Sequence, residues 1–149
     1  MSRQRTNAEY GAARDAELLR TFDRLMQEAP AGKSVASLFE RLVEQPASRF
    51  YVSELRAIRV ITAMRRGSLR PGSSRSRGRM YAEVNRRVER LLAASPEMSL
   101  ADAVVEVVNS PAPEFYMEPA SARVTVYGLL RRRRNMRRQA RAGRCACRG

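Results

Sequence analysis

The chain has 149 residues, with 29 Lys and Arg against 15 Asp and Glu, no His, and a formal net charge of +14. That length suits one ordinary domain or two very small ones, and 44% hydrophobic residues suffice for a modest core, which argues against wholesale disorder. The surplus of positive charge points to a polyanionic partner, the missing histidine removes the commonest general base and metal ligand, and no apolar run approaches the roughly 18–20 residues that span a bilayer.

Residues 1–14 are polar and carry no apolar stretch of the secretory kind. The first apolar periodicity follows. Leu18, Phe22, Leu25 and Met26 recur at helical spacing, which predicts helix A over residues 14–28. A turn at Pro30-Ala31-Gly32-Lys33 leads to helix B over 34–44, where Val35, Leu38, Phe39, Leu42 and Val43 form one apolar face. Pro46 stops helix B. Ser53 is a good N-cap for helix C over 53–66, with Ala57, Ile61 and Met64 as its packing stripe.

The pattern then recurs. Pro46-Ala47-Ser48-Arg49-Phe50-Tyr51 is matched by Pro111-Ala112-Pro113-Glu114-Phe115-Tyr116, an offset of 65. At that offset residues 34–66 and 99–131 agree at nine of 33 positions, where average residue usage would give roughly two. The expectation is an all-α protein of two tandem three-helix, helix-turn-helix-like units over 14–66 and 80–134. In the second unit helix A covers 81–94, helix B 99–109 and helix C 118–134. Ser99 and Asp102 make a capping pair, Pro119 suits a first helical turn, and Ala122, Val126 and Leu129 repeat the stripe. Within each unit helix C is expected to pack on its own helices A and B. One ring of each Phe-Tyr pair should plug the core and the other cover its edge.

Residues 67–79, with Gly, Ser, Pro71 and four Arg but no acid, read as a flexible basic linker. Residues 135–149 read as a basic tail, and the run Arg131–Arg138 is expected to continue the second helix C as a basic extension. The net charge divides unevenly along the chain: +4 over 1–66, +4 over the linker, −3 over 80–130 and +9 over 131–149. The basic residues are all arginine except Lys33. A GC-rich genome would enrich arginine codons without explaining this surplus over acids. Arginine suits bidentate contact with phosphate and guanine.

The candidate nucleic-acid contacts are Arg56, Arg59, Arg65 and Arg66 on the first helix C, and Arg75 and Arg77 in the linker. In the arm they are Arg131, Arg132, Arg133, Arg134, Arg137 and Arg138. The arm is expected to hold phosphates without reading sequence. Any base readout falls to Arg56 or Arg59 on a recognition helix. The second unit, lacking those arginines, is expected to bind protein, including a second copy of itself.

Cys145 and Cys147 stand without a second pair or a histidine, so no zinc site is expected. No phosphate-cradling glycine loop or nucleophile elbow occurs, so neither enzyme activity nor a cofactor is expected. The function expected is non-enzymatic DNA binding, as a regulator or architectural factor in a cytoplasmic, nucleoid-associated setting with no membrane partner. RNA binding, or a structural role in a phage or mobile element, are the alternatives.

Phe50-Tyr51-Val52-Ser53, with Ala57, Arg59-Val60-Ile61 and the basic end Arg65-Arg66-Gly67, resembles a unit in small helical proteins of Bacteroidetes and their prophages or mobile elements. These carry a Pro-Ala-x-x-Phe-Tyr-Val-Ser sequence. The resemblance covers residues 22–67 well and 88–134 less well, since Glu118-Pro119 replaces Ser53-Glu54. It implies a helical unit of mobile-element origin and no particular mechanism.

Overall fold

A computed structural model describes residues 7–29, 32, 34–68 and 75–146. They form an all-α protein of six helices: α1 (Asn7–Glu28), α2 (Val35–Val43), α3 (Glu54–Arg65), α4 (Arg75–Ala94), α5 (Leu100–Val108) and α6 (Pro119–Ala146).

Three helices start where a serine stands ready to cap them. Ser34 Oγ accepts from the Ser37 amide at 3.2 Å, Ser53 Oγ from Arg56 at 3.2 Å and Ser99 Oγ from Asp102 at 3.1 Å. Each satisfies a first-turn N–H that the helix itself leaves orphaned. α6 begins on Pro119, whose missing N–H costs nothing in a first turn.

The order of packing differs from contiguous three-helix units. α6 lies against α1 and α2, whereas α3 lies against α4 and α5; the backbones of α2 and α3 do not approach one another. The stripe of Ala57, Ile61 and Met64 therefore packs on the second helix pair, not on helices A and B before it. The corresponding stripe of α6 packs on the first pair. Phe39 of α2 shows the exchange directly. It stacks on Phe22 of α1 at 5.6 Å and takes an edge contact from Tyr127 of α6 at 5.7 Å. Helix B and helix C of one copy thus do not form a helix-turn-helix pair.

The physical reason lies in the connections at 44–53 and 109–118. Pro46, Pro111 and Pro113 favour extended backbone in the residue before each of them, so the chain runs on instead of folding back. The two connections meet side by side and antiparallel. The Ala47 and Ala112 amides donate to each other's carbonyls at 3.0 and 2.9 Å. The Phe50 amide donates to Val108 O at the end of α5, and the Phe115 amide to Val43 O at the end of α2, both at 3.1 Å. Each connection thereby satisfies an end-of-helix carbonyl in the other half. Every bond of this set has its counterpart 65 residues along the chain.

One apolar cluster runs through both helix sets and across the connections. Phe50 and Phe115 are buried within it, while Tyr51 and Tyr116 are half-buried at its margin. Ile61 of α3 and Val126 of α6 are fully buried; each such side chain contributes roughly 1.5–3 kcal/mol by leaving water. At the margin, Glu17 accepts from the Ser48 amide at 2.8 Å, from Ser48 Oγ at 2.7 Å and from Tyr51 OH. Burial pushes the Glu17 carboxyl up, but these hydrogen bonds and nearby Arg20 outweigh it and hold its pKa below the usual value.

The second tyrosine sits differently. Tyr116 has a φ of 55°, a left-handed conformation that costs a non-glycine residue energy. Its ring stacks on Phe50 at 5.9 Å. Burial, reinforced by Glu114 and Glu83, pushes its phenol up to about 12.

Candidate nucleic-acid interface

α6 is longer than the second helix C expected from the sequence. The basic tail continues it without a break to Ala146, while 147–149 lie outside the described residues. At 1.5 Å per residue the helix is about 42 Å long. Its two ends differ in charge. Near Pro119, Glu40, Glu44, Glu114 and Glu118 line a cleft of about 530 Å³ with Arg79. From Arg131 onward α6 carries eight arginines and no acid. Acids at a helix N-terminus and bases at its C-terminus both complement the helix dipole.

The arm arginines expected as contacts are on one element, and all but one are exposed. Arg133 is the half-buried exception; its Nη1 donates to Asp23 Oδ2 of α1 at 3.1 Å. That pair anchors the arm to α1 and takes one arginine out of the free set. Arg131, Arg132, Arg134, Arg137 and Arg138 have no acidic partner among the described residues. Arg141 and Arg144 extend the set beyond the residues singled out from sequence; Arg144 Nε also donates to Ala140 O at 3.3 Å. Arg141 lies three and four residues from Arg138 and Arg137, and Arg144 three from Arg141; that spacing is the signal that would have included them.

On one side the arm bounds a groove of about 700 Å³ against α1. Leu19, Leu129, Met136 and Ala140 lie along it, with Arg132, Arg133, Arg137, Arg141 and Arg144 among the lining residues. This fixes which way the arm faces: Arg133, Met136, Arg137 and Ala140 lie on the groove side, while Asn135, Arg138 and Gln139 lie on the opposite side of the helix.

The other predicted contacts do not join the arm's helix. Arg56, Arg59 and Arg66 are exposed around α3, without an ion pair among the described residues. Arg65 is held by Glu89 of α4 at 3.8 Å. Arg75 and Arg77 are exposed, but they belong to the first turns of α4 and not to a flexible linker. Ser76 between them is buried and donates to Glu118 Oε1 at 2.8 Å, and Arg79 pairs with Glu114. These ties order the helix start that the Gly, Ser and Arg composition concealed. The part of the expected linker at 69–74 lies outside the described residues. Among the described residues, no helix is long and apolar enough to cross a membrane.

No protein-family model matches the chain, and neither the curated proteins nor the solved structures contain a match to it.

Proposed function

We propose that this protein binds nucleic acid without catalysing a reaction, and that it acts on duplex DNA as a regulator or architectural factor. The observation that carries the reading is α6: one continuous helix that from Arg131 onward holds eight arginines and no acid, of which, among the described residues, Arg133 alone is committed to an ion pair. Like charges three and four residues apart repel one another on a helix. A polyanion laid along the arm relieves that repulsion and releases its own condensed counterions. The acidic cleft at the other end of α6 disfavours phosphate there, so the duplex is directed to the arm. Arg56, Arg59 and Arg66 on α3 are secondary contacts in this reading.

A comparison of the full chain with one ending at Leu130 tests it. The shorter chain keeps the buried Ala122 and Val126 of α6 and therefore its packing on α1 and α2. It is expected to lose most of its affinity for duplex DNA; undiminished binding would remove the arm from the mechanism. Competition between equal lengths of duplex DNA and structured RNA decides the polymer, and a clear preference for RNA would overturn the DNA assignment.

A further inference from the structure

The arm was expected to grip phosphates only, but its outer face carries a different set of side chains. Successive residues on a helix are about 100° apart. Met136, Ala140 and Arg133 face α1. On the opposite side Arg131, Asn135, Arg138, Gln139 and Ala142 fall at i, i+4, i+7, i+8 and i+11, within an arc of about 100°. All five are exposed. Asn135 and Gln139 make no hydrogen bond among the described residues, so both amides present donor and acceptor to solvent.

We infer that this face, resting on the nucleic-acid reading above, enters the major groove of duplex DNA and reads base edges. Each side chain on it belongs to a type that recognises a base there. Asn and Gln bond bidentately to adenine, Arg to guanine, and an Ala methyl packs on the thymine methyl. The dimensions agree. A helix about 10–12 Å across fits a groove about 12 Å wide. Asn135 and Gln139 are separated by about 6 Å along the axis, close to two base-pair steps of 3.4 Å. The whole stripe spans about 16 Å, or four to five base pairs.

Arg132 projects to one side of the stripe, and Arg134 and Arg141 to the other, where phosphates of the two strands border the groove. The deep, narrow major groove of A-form RNA excludes such a helix, and the DNA minor groove, about 6 Å wide, is too narrow for it. The base-reading element is thus the arm, in place of Arg56 and Arg59 on α3.

The test is selection of preferred sites from a random duplex library by the full chain, followed by affinity for the selected duplex against a scrambled one. The wild type is expected to prefer the selected site about tenfold or more. Asn135→Ala combined with Gln139→Ala brings that ratio close to one and leaves the salt dependence unchanged, because neither residue is charged. Arg134→Ala reduces the log–log salt slope by about one and keeps the ratio. Alanine is the best helix former, so the arm stays helical in all these variants, which far-ultraviolet circular dichroism verifies.

A wild-type ratio near one, or a double variant that keeps its preference, overturns base reading by this face. If salt-dependent binding persists in that case, the arm is a phosphate clamp and the proposed function stands. If salt-dependent duplex binding is itself absent, both fail.

Discussion

Exchange of the third helices makes α2 depend on α6, and the pair Phe39 and Tyr127 reports that dependence. Phe39 is only 2% exposed, and Tyr127 meets its ring edge-on with an interplanar angle of 78°. Phe39→Leu removes the ring and both aromatic contacts, at a cost of about 1–2 kcal/mol. Tyr127→Ala, at a partly exposed site, costs a similar amount. An edge-to-face pair adds about 0.5–1.5 kcal/mol beyond its area. The double variant should therefore be less destabilised than the sum of the two single ones by that amount. Denaturant unfolding of the four proteins, followed by helical circular dichroism, measures the difference. As a control, Phe39→Leu and Ile61→Val should add to within about 0.5 kcal/mol, because the α3 backbone does not approach α2. Full additivity of the 39–127 pair, with coupling of Phe39 to Ile61 instead, would refute the exchange and restore contiguous units.

Two further expectations concern the tyrosine clusters. Glu17 is held below the usual carboxylate value, so its contribution to stability is complete above that value and is lost as pH falls through the lowered one. Glu17→Gln should cost about 1–2 kcal/mol at neutral pH and give a flatter acid limb; an unchanged limb would show that the cluster contributes nothing. With its phenol pushed up to about 12, Tyr116 should ionise last in an ultraviolet alkaline titration. That late step should vanish in Tyr116→Phe, and a titration complete by about pH 11 in the wild type would contradict the burial argument.

Much of the local structure was legible because its causes are local. α2, α3 and α5 lie within a residue of their expected limits, since an apolar stripe, a serine cap and a following proline all act within a few residues. The partner of each third helix was not legible. Ala57, Ile61 and Met64 present nearly the same apolar face as Ala122, Val126 and Leu129, so either helix pair offers a chemically equivalent seat. Only the extended backbone of the connections, held by the Ala47 and Ala112 amides, directs the choice.

The candidate site was legible in part for a related reason. Arginine favours a helix almost as well as leucine, yet an arginine run carries no apolar period, so the boundary set at Arg134 had no physical cause behind it. The start of α4 is hidden in the same way, because it depends on the tie from Ser76 to the distant Glu118. Asn135 and Gln139 carry no signal in the sequence, because their meaning depends on a direction. Only when Arg133, Met136 and Ala140 are placed against α1 do the two amides acquire an outward face.

The most direct test of phosphate binding by the arm is the salt dependence of duplex affinity for the full chain. Engagement of four to six phosphates predicts a slope of log Kobs against log salt of roughly −4 to −5. A slope near zero, with affinity unchanged as salt is raised, would contradict the account.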